Sequence, residues 1–427
     1  MAETKENIPL EDSNLEEGKT VSEPPQPPDG GRRGWLTAIG AGMNLFATIG
    51  YLYSFGVYQD YYSRFYLSSH TPSKIAWIGS LQITLPFTLG VVSGKLFDNG
   101  YFHALQAAGS TLFVVSLFLL SLAKPQKYFE IFLSQGVGMG LRSGISFIAT
   151  VGITSHHFRR RRALAAGVAL SGSSLGAVVF PIMLNNLLPK IGFAQTVRAS
   201  AYIVLGLLIV SNCLMRTPHA KVVSDRPVIN IKGFFVDPPY LSTGIGAFFG
   251  LFGFYFPLVY LQLYANTHGI DPNLAFYSIA ILNASSIFGR IFANWLADMF
   301  GAVTVMIPCT VLTAASIFSV FGIHDSASLI VVSIFYGFFS GAWISVSVAI
   351  LASLSRHPTE IGARTGLGLA FCSFGSLGGA PLQGRLLTSM FKWNLPIIFS
   401  GILMSVSTIF FVATRVILVR EWKTQKV

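Results

Sequence analysis

Twelve stretches of this chain are apolar over about 20 residues or more, the length a helix needs to cross a hydrocarbon core of roughly 30 Å. They run 34–57, 75–97, 102–123, 128–154, 163–188, 194–215, 239–264, 273–299, 302–322, 327–354, 363–389 and 395–418. Lipid offers backbone N–H and C=O groups no partner, so apolar runs of this length must be helical. Composition agrees: 52% of the 427 residues are hydrophobic and 11% charged, too few charges to cover a water-exposed surface. The expected fold class is an all-α membrane protein with twelve transmembrane helices in two pseudo-symmetric six-helix halves.

The two halves are read from a pattern that occurs twice. Gly94-Lys95-Leu96-Phe97-Asp98-Asn99-Gly100 closes the second segment, and Asn294-Trp295-Leu296-Ala297-Asp298-Met299-Phe300-Gly301 closes the eighth. Nearly the same offset relates Arg162…Ser174-Leu175-Gly176 to Arg364…Ser376-Leu377-Gly378, and Gly136 and Gly140 to Gly337 and Gly341. A membrane chain built from two similar halves implies a carrier whose halves rock about a central site. The boundaries follow: a disordered cytosolic tail at 1–33, a first bundle at 34–215, a cytosolic loop at 216–238, a second bundle at 239–418 and a short cytosolic tail at 419–427.

With the N-terminus inside, roughly seventeen Lys and Arg fall on the cytosolic side against about six on the other, which puts both termini in the cytosol. The net charge of +11 thus belongs to topology, not to a nucleic-acid surface. Cys213, Cys309 and Cys372 sit inside apolar segments as small hydrophobes, without metal-ligand spacing. No phosphate loop supports direct ATP drive, and no cluster of nucleophile and base at membrane depth supports an enzyme. The chain is read as a non-enzyme with no cofactor and no metal. Its expected partners are a small molecule of anionic charge, protons as one candidate coupling ion, and the lipid bilayer.

Asp29-Gly30-Gly31-Arg32-Arg33-Gly34-Trp35 before the first helix, His157-Phe158-Arg159…Gly172 at the start of the fifth, and Gly289-Arg290 with Ala293, Asn294, Leu296, Ala297 and Asp298 in the eighth resemble the motifs of the monocarboxylate porter family of the major facilitator superfamily, in its fungal-type branch. The resemblance implies the major facilitator fold, a monocarboxylate- or riboflavin-transporter-like activity, and a plasma-membrane rather than vacuolar location. Two departures matter. Where the animal carriers place a substrate-binding lysine in helix one, this chain has Tyr53; where they place an aspartate one turn before the helix-eight arginine, it has Ser286. The arginine is kept, as Arg290.

A charge at mid-bilayer costs at least about 2.5–3.5 kcal/mol, so it faces the interior and has a task. Arg142 and Arg290 pass that filter, and no Asp or Glu lies deep in any segment. A cavity with guanidinium groups and no carboxylate suits an anion, which guanidinium pairs bidentately. A structural tie to carbonyls or to Asp298 is the alternative for Arg290. Candidate substrate-binding residues are Arg290, Arg142, Asn44, Tyr53, Asn283, Ser286 and Trp343. Tyr51, Tyr255, Tyr260, Asn185, Asn186 and Gln383 are further candidates for the same cavity, while Arg385, toward the outer end of the eleventh segment, is read as snorkelling or as a gate contact, with a role in the outer vestibule as the alternative. Candidate gate residues are Asp98, Asp298, Arg162 and Arg364, because Asp98 and Asp298 end even helices at matching positions and suit a basic residue or a helix end across the interface.

The function expected from these features is secondary active or facilitative transport of a small organic anion by alternating access. Export of a larger metabolite, riboflavin-like or secondary, is the alternative; a non-transporting nutrient receptor is a second. Proton symport, facilitated diffusion and exchange all stay open.

Overall fold

In a computed structural model the described residues are 30–217, 231–355, 360–387 and 392–427. The tail ahead of Gly30, Asp29 of the first motif, most of the central loop, Arg356 and the last two residues of the eleventh predicted segment lie outside them.

Among the described residues, ten helices are long and apolar enough to cross a membrane. One of them, Arg162–Leu214, is two spans joined at Gly192, and Ile361–Leu387 completes a set of twelve. In chain order these are α1 (Gly31–Tyr66), α2 (Lys74–Asp98), α3 (Phe102–Leu122), α4 (Tyr128–His156), α5 (162–191) and α6 (193–214). Then come α7 (Pro238–Thr267), α8 (Pro272–Phe300), α9 (Ala302–Gly322), α10 (Ser326–Ser353), α11 (Ile361–Leu387) and α12 (Asn394–Trp422). The predicted loop at 189–193 shrinks to Gly192, whose φ of 74° reverses the chain in a single residue where a side chain would be strained.

The first span is longer than its sequence predicts. Helix α1 continues past 57 because Tyr58 and Tyr62 bury completely, stacking on each other and against Phe193 of α6, while the Tyr62 hydroxyl donates to Gln135 Oε1 of α4 at 2.6 Å. It is also irregular. A π-helical stretch covers Phe46–Gly50, and a tight turn at Tyr53–Ser54 interrupts the ladder before Phe55. Such interruptions frequently mark working positions in membrane helices.

Helices α1–α6 and α7–α12 form two bundles. They meet along two seams, α5 against α8 and α2 against α11. Small residues make both possible. A Cβ on Gly94 of α2 would collide with the backbone of Gly362 of α11, and one on Gly167 of α5 would stand 2.7 Å from the Arg290 carbonyl oxygen of α8. Both seams carry close contacts near one end of the molecule, where α1 starts and α12 finishes; we call it the terminal face.

Candidate functional site

The sequence singled out four charged residues near the terminal face, and their backbones explain where they end up. Asp98 is the last residue of α2, and its carboxylate accepts from the backbone N–H groups of Gly362 (3.0 Å) and Ala363 (2.8 Å), the opening turn of α11. Asp298, at the matching position of α8, accepts from Ala163 (2.9 Å) and Leu164 (2.8 Å), the opening turn of α5. Each carboxylate satisfies helix-end donors and meets the positive end of the helix dipole in the opposite bundle. The two contacts repeat each other under the internal pseudo-symmetry.

The two arginines differ. Arg162 reaches the Ala352 carbonyl of α10 at 3.4 Å, crossing between bundles. Arg364 stays within its own: it donates to Asp237 Oδ2 (2.7 Å) and the Leu354 carbonyl (2.8 Å), with its guanidinium over the rings of Phe234 and Tyr240. Asp237, just ahead of α7, gives no sign of this pairing in the sequence, since 127 residues separate the partners.

Deeper in the molecule, Arg290 is 7% exposed and lies on the α5–α8 seam. Its Nη1 donates to the Leu170 carbonyl (3.1 Å) and to Ser173 Oγ (3.3 Å), both of α5. The Tyr53 side chain, presented at the α1 turn, lies beside it, in the same bundle as α5. Tyr255 of α7 and Tyr336 of α10 are electrostatic neighbours of Tyr53, and both are buried. One turn from Arg290, Ser286 donates to Ser174 Oγ across the seam at 2.8 Å. Arg290 Nε has no hydrogen-bond partner among the described residues. The resulting place is a guanidinium held by a carbonyl and a hydroxyl of α5 with the Tyr53 phenol nearby, and no carboxylate lies against it among the described contacts.

Arg142 is somewhere else. It is 1% exposed inside the first bundle, where Nη2 donates to Asn44 Oδ1 (2.7 Å) and the guanidinium lies over Phe113. Asn44 donates in turn to Gln106, and Gln106 to Thr150. The chain of amides compensates a buried charge that has no anion.

The remaining candidates do not converge on Arg290. Asn283 bonds to the Ile279 carbonyl of its own helix. Trp343 is fully buried between α10 and α7, packed on Phe254 and over Gly250, with its indole N–H unpaired among the described residues. Gln383 ties α11 to the Phe252 carbonyl and to Ser400, Asn185 and Asn186 are exposed, and so is Arg385. Tyr51 pairs with the Tyr58 hydroxyl, and the Tyr260 hydroxyl sits against Gly384. Sequence reasoning missed Ser173, Ser174 and Tyr336. Ser174 belongs to a repeated motif, but nothing in one sequence shows that it faces Ser286. An apolar groove of about 520 Å³ between α9 and α12, lined by Val311, Phe318, Thr408 and Ile409, holds none of this chemistry.

The profile of the Major Facilitator Superfamily matches residues 34–302 and 277–425. The chain belongs to that superfamily. This facilitator is 40% identical, over 84% of its length and 73% of the relative's, to the aspyridones efflux protein of Emericella nidulans. It is 36% identical to an MFS-type transporter of Aspergillus niger, over 92% of its own length and 91% of the other's. Its fold is shared with solved transporters: the fucose:proton symporter of E. coli at a TM-score of 0.67 and 16% identity, covering 90% of this chain and 98% of that one. A bacterial homologue of the iron transporter ferroportin superposes at 0.70 with 12% identity over 90% and 99%. The narrower monocarboxylate-porter assignment is not among these findings, which point instead to fungal MFS-type transporters, one of them named for metabolite efflux.

Proposed function

We propose that this facilitator exports an amphipathic, acidic metabolite by alternating access, with Arg290 as the counter-charge and Tyr53, Tyr255 and Tyr336 as the surrounding wall. One observation carries it: Arg290 is buried on the seam between the two bundles, beside the Tyr53 phenol of the opposite bundle, and its partners there are neutral. A guanidinium so placed pairs bidentately with a carboxylate or an acidic enolate, and aromatic faces hold a flat ring system. The aspyridones efflux relative supports the outward direction and a larger substrate than a short monocarboxylate.

In this scheme the terminal face is cytosolic and the membrane is the plasma membrane. Asp98 and Asp298 hold the terminal face shut by capping helices of the opposite bundle, and Arg162 adds a tie across it. Substrate entering from the cytosol requires both caps to release. Arg290 serves twice, since its bonds to Leu170 and Ser173 belong to the closed seam and must be exchanged for substrate when the seam parts.

The test is efflux from yeast cells preloaded with a radiolabelled acidic hydroxypyridone, with benzoate and a neutral sugar beside it. Wild type is expected to expel the pyridone. Arg290→Gln is expected to lose at least about tenfold, the cost of one charge-assisted pair of roughly 1.5–3 kcal/mol. Expulsion of benzoate alone returns the small-anion function to first place. Arg290-independent expulsion removes the counter-charge.

A further inference from the structure

A transported anion moves charge, and something must drive it. Proton-driven carriers need a group at membrane depth that takes up and releases a proton near neutral pH. The whole sequence holds 18 Asp and Glu and 8 His. Among the described residues those in membrane-spanning helices lie near the ends: Asp60, Asp98, His103, Glu130, His156, Asp298 and Glu421. Asp60 is exposed and paired with Arg64, while Asp98 and Asp298 are held by backbone donors at the terminal face. Of the phenols near the seam, Tyr53 lies beside Arg290, and Tyr255 and Tyr336 lie beyond Tyr53. None of these is a carboxyl or an imidazole, the groups whose ordinary range lies at or below neutral pH. A proton carried on the substrate itself would remove the charge that Arg290 recognises. Of the two thiols buried in the second bundle, Cys372 bonds to the Gly244 carbonyl and Cys309 lies in α9, neither against Arg290.

Given the export function proposed above, we infer that this protein moves its substrate as a bare anion, uncoupled to protons, so that each cycle carries one negative charge outward and the membrane potential supplies the drive. The loaded carrier crosses with the charge of the substrate; the empty carrier returns with Arg290 fixed in α8 and moves none. No proton enters in exchange. A cytosol negative to the outside expels an anion by this route without any coupling ion, and a single charge reaches a tenfold concentration ratio for about each 59 mV.

The experiment uses the full chain in proteoliposomes with 2-naphthalenesulfonate, an aromatic monoanion with no protonated form near neutral pH. Valinomycin and a potassium gradient set the potential; equal potassium with a pH step sets the proton gradient at zero potential. Protein-free vesicles give the leak. With a lumen-positive potential of about 118 mV the probe is expected to accumulate on the order of 100-fold, with no accumulation from the pH step. Arg290→Gln is expected to abolish the flux, and Arg290→Lys, which keeps the charge, to slow it while keeping the same final ratio. Accumulation that follows the pH step at zero potential, or a final ratio of one at 118 mV, overturns proton-free transport and leaves export standing. Absence of flux above the leak under every gradient overturns both.

Discussion

Asn44 and Arg142 illustrate how much of a membrane interior is settled by single residues. The guanidinium is buried in the first bundle and Asn44 is its closest oxygen, so removing that oxygen strands a charge in a place water does not reach. Asn44→Ala is expected to cost about 1.5–3 kcal/mol, seen as a lower Tm in detergent. Adding Arg142→Met to the same chain is expected to recover most of that loss, because an apolar side chain of similar length needs no partner. A double variant as unstable as the single one sinks this account of the network. That Arg142 and Arg290 would be buried was legible from residue type and depth alone. What each does was not. Arg142 ends among amides of its own bundle, while the Arg290 partners are a carbonyl and a hydroxyl about a hundred positions away. A backbone carbonyl has no signature in sequence, and its position is fixed only when α5 lies against α8.

Among the elements, the helix ends govern closure. Asp98 and Asp298 each cap a helix of the other bundle, and a charge so placed contributes up to about 2 kcal/mol. Asp98→Asn and Asp298→Asn keep an acceptor and lose the charge. Each is expected to shift the balance toward an open terminal face by roughly 2- to 30-fold, and by similar factors because the two caps are pseudo-symmetric. The readout is labelling of Ser174→Cys by a membrane-impermeant thiol reagent added at that face; unchanged labelling rates remove the caps from the closing machinery. Gly94 bears on the same seam from the α2 side, where a Cβ meets the Gly362 backbone. Gly94→Val is expected to raise labelling at least as much as either Asn variant, since a steric block cannot be compensated by water. The spans were legible because a long apolar run has one outcome in lipid. The turn in α1 was not, as Tyr53 and Ser54 are ordinary helix residues and their position reflects what packs around Tyr51, Tyr58 and Tyr62.

For the molecule as a whole, two similar bundles joined along α5–α8 and α2–α11 have one low-cost motion: to part at these seams while staying folded within each bundle. The seams rest on small residues, two caps and a few polar bonds. The Ser174–Ser286 pair crosses one seam with its oxygens 2.8 Å apart. If transport requires that seam to open, tying it must stop transport without unfolding anything. In a chain with Cys213, Cys309 and Cys372 replaced, Ser174→Cys with Ser286→Cys is expected to transport when reduced, to lose nearly all flux on mild oxidation, and to regain it with a reductant. Each single cysteine chain is expected to ignore both treatments. Full flux through an oxidised, crosslinked pair would mean that α5 and α8 stay together throughout the cycle. The route between the two sides of the membrane would then have to open at α2–α11 alone, and Arg290 would never be released from Leu170 and Ser173.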